Sequence, residues 1–334
     1  MKKIAVVGGG FSGLGLSYHL LKLGGNVTLF DGKGIGGGAS GIASGLLHPY
    51  PGESARLSWR GQEGVDETKQ LLTLVGSDVY KESGILKIAV TPKQEKAFRK
   101  LAKRYEDIEW WDADRCHNFI KGSHYLPGIF IKSGITVHAP LYLKGLWEIC
   151  ESLGGQFEKR NVSLDDLEAF DIVVLAVGAG IRGFAAGEKL DLKFNKGQIL
   201  VCQKPRYFEN ESSLIGKGYL ALSEVEDRCY LGSTYERDFE TEEPCMGTAT
   251  DLIFKQIGQF IPSYGSFKVE KCLSEMRVVS CAGYHPIVKK LDEKLYVMTA
   301  MGSRGLLYHA LLGKELAEEI VFTCTLPPAM STCS

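Results

Sequence analysis

KIAVVGGGFSGLGLSYHLLKLGGNVTLFD, residues Lys3 to Asp31, decides the fold. Lys3 to Val7 is a short run rich in β-branched residues, the texture of a buried parallel strand. It runs straight into Gly8-Gly9-Gly10-Phe11-Ser12-Gly13, a G-x-G-x-x-G match. From Leu14 to Leu23 apolar residues recur at helical spacing (Leu14, Tyr18, Leu21), and Gly24-Gly25 stops the helix. A second strand, Asn26 to Phe30, ends at Asp31, eighteen residues after Gly13. Each part has a mechanical reason. Gly8 makes the tight turn, Gly10 lets the backbone approach a pyrophosphate, and Gly13 lets helix and strand pack closely. The helix N-terminus offers amides and positive dipole to phosphates, and Asp31 is placed to accept from a ribose hydroxyl. The stretch predicts dinucleotide binding.

Outward from it, Gly32 to Gly52 holds Gly34, Gly36, Gly37, Gly38, Gly41 and Gly45. A second glycine-dense stretch so soon after the acid suggests more backbone lying against the same ligand, which suits a flavin dinucleotide better than a nicotinamide one. Arg56 to Val75 reads as a helix, and Gly84 to Val90 as a strand. Thr91-Pro92 then starts a helix with Phe98, Leu101, Ala102 and Tyr105 on one face. Its other positions carry Lys93, Lys96, Arg99, Lys100, Lys103 and Arg104 against Glu95. That face is either solvated or a phosphate-contacting patch, with Trp110 and Trp111 as stacking groups. Pro140 to Leu153 is helical and Gln156 to Val162 a strand. Asp171 to Gly180 is another buried strand, ending in a glycine turn. Lys196 to Gln203 and Gly218 to Glu242 read as antiparallel strands roofing a substrate cavity. Thr248 to Gln259 is a helix and Lys294 to Ala300 a last core strand. Gly302-Ser303-Arg304-Gly305 then breaks into a helix from Leu306 to Val321. The tail from Thr323 has no periodicity.

At 334 residues the soft prior is two domains, and 44% apolar with 24% charged residues is an ordinary globular composition. Lys plus Arg number 39 against 40 acids, so no global basic field draws the chain to nucleic acid. Nine scattered cysteines show no C-x-x-C pair and no metal-ligand spacing, which points to free thiols in a reducing compartment and to no metal. No secretory signal precedes the first strand, and no apolar run approaches the ~20 residues that span a bilayer. A cytoplasmic protein without a membrane partner is expected, or the interior of an organelle after loss of a transit peptide.

Four further stretches carry a family resemblance: GASGIASGLLHPY (Gly38 to Tyr50), NKGQIL (Asn195 to Leu200), YLGSTYERDFE (Tyr230 to Glu240) and GSRGLLYHALLGKELAE (Gly302 to Glu318). With the opening motif and VVLAVGAG in mid-chain they span nearly the whole sequence. The chain resembles the FAD-dependent amine oxidoreductases that include D-amino-acid, glycine and sarcosine oxidases. Within them it is most similar to the oxidase domain of bifunctional enzymes that make methylaminomethyl-thiouridine at the tRNA wobble position. The methyltransferase domain of those enzymes has no counterpart in this sequence. The Arg, Asp and Pro that family members carry near the closing segment reduce here to Arg277 and Pro286, nine residues on, with no Asp between.

The resemblance implies an α/β fold of glycine-oxidase type with an α+β substrate domain. A Rossmann-like FAD domain would be assembled from residues 1–78, 137–195 and 268–334, and an antiparallel-sheet substrate domain from 79–136 and 196–267. It implies non-covalent FAD, since no attachment motif surrounds Cys272 or Cys281. The implied FAD contacts are Gly8, Gly10, Phe11, Ser12 and Gly13 in the first turn, and Asp31, Gly32 and Lys33 after the second strand. Further along they are Ala39, Ser40, Ala43, Ser44, Gly45 and Leu46, then Val162, Gly178 and Ala179, and last Gly302, Ser303, Arg304, Gly305 and Leu306. His48 would face the ring or serve only as a turn residue before Pro49. Arg277 would hold a substrate carboxylate or bridge domains, and Arg304 would add charge near the ring, reach substrate, or pair at the surface. Tyr219 and Tyr235 would close the cavity or belong to the core. Three functions stay open from sequence: removal of a carboxymethyl-type group from a tRNA wobble uridine, oxidation of a free amino acid such as glycine, sarcosine or a D-amino acid, and a flavin-holding module without turnover. The partner is an amine substrate, with tRNA as the macromolecular version, and the oligomeric state is open.

Overall fold

The structure, a computed structural model, describes residues 2–120, 122–283 and 285–322. The tail from Thr323 lies outside them. The chain divides into two compact units, residues 1–41, 143–193 and 278–334 in one, and residues 42–142 with 194–277 in the other.

The first unit is built on a six-stranded sheet in the order Ile287–Lys290, Leu295–Thr299, Ile172–Leu175, Lys3–Val7, Asn26–Phe30, Gln156–Glu158. All neighbours are parallel except the antiparallel edge strand Ile287–Lys290. Lys3–Val7 lies between two parallel partners, so its interior side chains Ala5 and Val6 have no access to solvent. The helix Phe11–Lys22 and the closing helix Gly305–Phe322 are apolar on most faces because each is enclosed by protein. They touch backbone to backbone. A Cβ on Gly15 would lie 2.7 Å from the His309 carbonyl oxygen, and one on Gly313 would lie 2.8 Å from the Leu16 nitrogen.

The second unit carries an eight-stranded sheet in the order Lys268–Ser280, Leu192–Gln203, Arg228–Gly232, Tyr219–Leu222, Ser213–Ile215, Ile85–Ile88, Gly128–Ile131, Ile108–Trp111. It is mixed rather than purely antiparallel, because Ser213–Ile215 pairs parallel with Ile85–Ile88. A small sheet joins Leu46–Leu47, Ile135–Val137 and Tyr80–Lys81.

Several expectations change in detail. The helix expected from Arg56 starts at Gly61, since Arg60 takes a left-handed φ of 48° that no helix accommodates. It falls in the second unit, although the sequence reading groups it with the nucleotide segment. The strand from Gln156 stops at Glu158, where the Arg160 amide turns back to the Glu158 carbonyl. Gly218 to Glu242 supplies only Tyr219–Leu222 and Arg228–Gly232. Beyond Gly232 the chain keeps one bridge, Lys196 to Glu236, and the Thr234 amide still reaches the Gln198 carbonyl, but side chains enter the ladder: Thr234 Oγ1 accepts from the Gln198 amide and Lys196 Nζ donates to the Glu243 carbonyl. Trp111 is buried and stacked on Phe130 at 4.6 Å, so it cannot stack on an external base.

Candidate active site

In the first unit the site is made of backbone. Gly8 has φ 115°, and a Cβ there would lie 2.4 Å from the Ala176 carbonyl oxygen on the neighbouring strand. A Cβ on Gly13 would lie 1.8 Å from the Gly8 carbonyl oxygen. No other residue allows the strand, turn and helix to approach this closely. The N-cap Gly10 has no side chain to cap the helix that follows and no acid sits in its first turn; with the Phe11 amide given to Ser40 Oγ, the dipole and the remaining first-turn amides favour an anion.

Asp31, expected to face a ribose, is engaged by the protein's own backbone. Its carboxylate accepts from the Gly9 amide at 2.7 Å, from Lys33 at 2.8 Å and from Gly34 at 3.0 Å. It therefore pins the first glycine turn to the second. Two more bonds bind these loops together, Gly36 N–H to the Gly9 carbonyl at 2.9 Å and Phe11 N–H to Ser40 Oγ at 3.0 Å. Gly32 is needed for a neighbour, since its Cβ would lie 2.0 Å from Asn161 Oδ1, one residue before Val162. Gly178 and Ala179 open a short turn after the strand Ile172–Leu175, and space around Gly178 is open. Gly302, with φ 55°, donates to the Val278 carbonyl, and Ser303, Arg304, Gly305 and Leu306 lead into the closing helix. Behind that helix start, His309 is fully buried, with Nδ1 2.9 Å from the Leu306 carbonyl; burial holds its pKa down at about 4. The ring is thus neutral and Nδ1–H donates.

In the second unit the site is made of side chains. Arg277 donates through Nη1 to the Thr234 carbonyl at 3.1 Å and through Nη2 to Ser233 Oγ at 3.0 Å. Gly197 lies under its fork, where a Cβ would be 2.4 Å from Cζ. A guanidinium has five N–H donors, so two anchors leave the fork with donors to spend on a carboxylate. Tyr219 reaches the same place. Burial raises the pKa of its phenol, against the opposing pull of hydrogen bonds to Ser44 and Ser233 and of the charge on Arg277. Ser44, Ser233, Tyr219 and Arg277 thus converge, and Tyr235 stays apart, half exposed.

His48 is half-buried, and its Nδ1 accepts from the Tyr50 amide at 3.2 Å, which places the ring proton on Nε2. Desolvation first, and the nearby Lys87 charge second, hold its pKa at about 3, so it works as a neutral imidazole. Lys87 was not singled out in the sequence, yet it is the buried cation of this loop. Nζ donates to the Tyr50 carbonyl at 3.2 Å and to the Gly52 carbonyl at 2.6 Å, and burial lowers its pKa to about 7. A Lys at the third position of an otherwise apolar strand, Ile85-Leu86-Lys87-Ile88, was the available signal. Ser233 and Thr234 lie in the YLGSTYERDFE stretch, which did not reveal their role, and Asn161 has no local signature. Gly45 lies against the strand Ile135–Val137, where its Cβ would be 1.7 Å from the Val137 carbonyl oxygen, so a sheet contact already requires glycine there. Ala43 and Leu46 flank the same turn, and Ala39 precedes Ser40 in the first unit. Cys272 is buried and Cys281 partly so, and both are free thiols.

A glycine turn that opens a helix and an acid after the second strand form a dinucleotide-binding unit, and the sequence pattern of the FAD dependent oxidoreductase (DAO) family matches residues 3–319. The chain belongs to that family, and FAD is its cofactor. It is similar to the glycine oxidase of Bacillus licheniformis, at 23% identity over 95% of this chain and 92% of that protein. It is also similar to the tRNA 5-methylaminomethyl-2-thiouridine biosynthesis bifunctional protein MnmC of Idiomarina loihiensis, at 22% identity over 95% of this chain but only 55% of that protein. Among solved structures, glycine oxidase from Geobacillus kaustophilus superposes with a TM-score of 0.82 over 95% of this chain and 94% of that one, at 19% identity. The fold is therefore of glycine-oxidase type. Among the described residues no helix is long and apolar enough to cross a membrane.

Proposed function

We propose that this flavoprotein oxidises the C–N bond of an amine whose reacting carbon carries a carboxylate, and that the amine is the carboxymethylaminomethyl group of a tRNA wobble uridine. The observation that carries the carboxylate is Arg277, a half-buried guanidinium anchored on Ser233 and Thr234 with donors left over. Arg presents a planar fork that matches a carboxylate in two places, which a Lys cannot do. Tyr219 adds a hydroxyl beside it.

Bound FAD supplies the two-electron acceptor. The chain's own residues do the rest. Arg277 orients the substrate by its carboxylate, which fixes the N–CH2 unit without an acid–base residue acting on the carbon. His48, held neutral, offers an Nε2–H donor without placing a second positive charge beside a neutral amine. Loss of hydride from the CH2 carbon and of a proton from nitrogen gives an imine. Water then cleaves it to glyoxylate and the shortened amine. The balance is the same for free glycine, which would leave ammonia.

Oxidation of free glycine or sarcosine is the second reading, favoured by the near-complete overlap in length with a protein named glycine oxidase. The tRNA reading is supported by similarity to the bifunctional protein across 95% of this chain and by a concentration of basic side chains on one helix of the second unit. Anaerobic addition of candidate amines to the purified holoenzyme tests both. Flavin absorption should bleach with carboxymethylaminomethyl-modified tRNA and not with glycine or sarcosine. Bleaching by a free amino acid alone would move the function to the small-molecule branch, and no bleaching by any amine would leave a flavin-holding module. A cytoplasmic site of action fits the free thiols of the described cysteines.

A further inference from the structure

The helix Pro92–Ala102 separates its two faces sharply. Phe98 is fully buried, and Leu101, Ala102 and Tyr105 pack with it onto a cluster that includes Tyr50, Ile108, Ile129 and Ile131. Tyr50 belongs to the loop that carries His48, so the helix is seated against the neighbourhood of that side chain. The outward face holds Lys93, Lys96 and Lys100, and the turn that follows adds Lys103 and Arg104; all five are exposed. At about 100° per residue these five fall in a stripe roughly 100° wide with no acid in it. Glu95 lies on the flank and is taken up by Arg99 at 2.9 Å. The Arg99 guanidinium in turn lies 4.1 Å from the ring centroid of Trp110. Of the other acids nearby, Glu53 pairs with Lys217 at 2.7 Å and Glu109 with Arg115 at 2.7 Å, and Glu106 is exposed beyond the turn.

We infer that this stripe is the surface that receives the phosphate backbone of the RNA substrate, and the inference rests on the tRNA reading above. The stripe is roughly 16 Å long at about 1.5 Å per residue. A nucleic-acid strand in a duplex presents a charge about every 3.4 Å, so about five phosphates match five cations. The chain as a whole is at −1, so attraction of a polyanion has to come from a local acid-free patch such as this one rather than from a global field. A membrane surface fits less well, because the apolar face that would insert is already packed inside the protein. A protein partner fits less well too, since the stripe has no exposed aromatic or aliphatic anchor of the kind that forms a hot spot.

The test uses FAD-loaded full-length protein, bulk unmodified tRNA as probe and fluorescence anisotropy over a range of salt. The wild type should bind with a log–log salt slope of about −4, and K93E/K96E/K100E should weaken binding by about 100-fold or more and flatten the slope by about 3. FAD content reports whether that variant is folded, and K93Q/K96Q/K100Q should fall between the two. Wild-type binding that survives the triple reversal with an unchanged slope overturns the surface and leaves the tRNA reading standing. A wild type that binds no tRNA removes that reading and the inference with it. Binding to anionic phosphatidylserine vesicles as tight as to tRNA also overturns the inference.

Discussion

In the first unit the candidate site is built from atoms every residue has, and in the second from atoms few residues have. In the first, Gly8, Gly13 and Gly302 matter because of what they lack. The bonds between the loops run through amides and carbonyls, steered by Asp31 and Ser40. In the second, Arg277, Tyr219, His48 and Lys87 matter for their end groups, each fixed by a backbone carbonyl, amide or hydroxyl. A backbone cradle fails when an atom is added. A side-chain site fails when an atom is removed, and the fold around it survives.

The largest effect should come from adding one methyl group to the cradle. Gly13→Ala puts a Cβ 1.8 Å from the Gly8 carbonyl oxygen, a collision between two backbones that no rotamer relieves. We expect protein that retains no FAD, read from the absorption of the purified chain. A Gly13→Ala protein with full flavin content would break the comparison. Arg277→Gln is the counter-test. It should keep full flavin content and lose about 100-fold in kcat/KM for a carboxylate-bearing amine, the scale of one charged hydrogen-bonding contact of ~2.7 kcal/mol. An amine lacking the carboxylate should be oxidised equally by both proteins.

Lys87 sharpens the comparison through pH. Its folded pKa of about 7 lies below the ordinary lysine value of 10.5. Between those values the unfolded chain holds a proton that the folded chain does not. Stability should therefore rise with pH across that window and be lost as pH falls from 10.5 towards 7, with a slope of up to about 1.4 kcal/mol per pH unit. Urea midpoints of wild type minus Lys87→Met should show that slope, and a flat difference would mean that the ammonium is not desolvated. The smallest effect is Thr91→Ala. Thr91 Oγ1 accepts from the Gln94 amide at 3.2 Å, and losing this cap should cost about 1 kcal/mol of stability with no change in turnover.

The contrast explains what could be read from the chain. Sequence alone determined the strand–glycine turn–helix–strand–acid unit at Lys3 to Asp31, the strand at Ile172–Leu175, the closing helix and the Thr91 cap. All of these carry their signal within about thirty residues, where glycine spacing and apolar period leave few alternatives. The same stretch also carried the dinucleotide class of the cofactor, because phosphates are held by backbone geometry that only a fixed glycine pattern allows; its flavin half was read from the second glycine-dense stretch and the family resemblance. What tertiary structure decided is everything that depends on pairs far apart in the chain. Ser213–Ile215 lies parallel to Ile85–Ile88, and Asp31 spends its carboxylate on the Gly9 amide. Lys87 is buried under the loop of Tyr50 and Gly52, and Arg277 finds Ser233 and Thr234 more than forty positions away. A polar side chain gives no periodic signal of which distant carbonyl will satisfy it. Only the folded sheet, by fixing which strands are neighbours, decides that Lys87 becomes a desolvated cation rather than an ordinary surface charge.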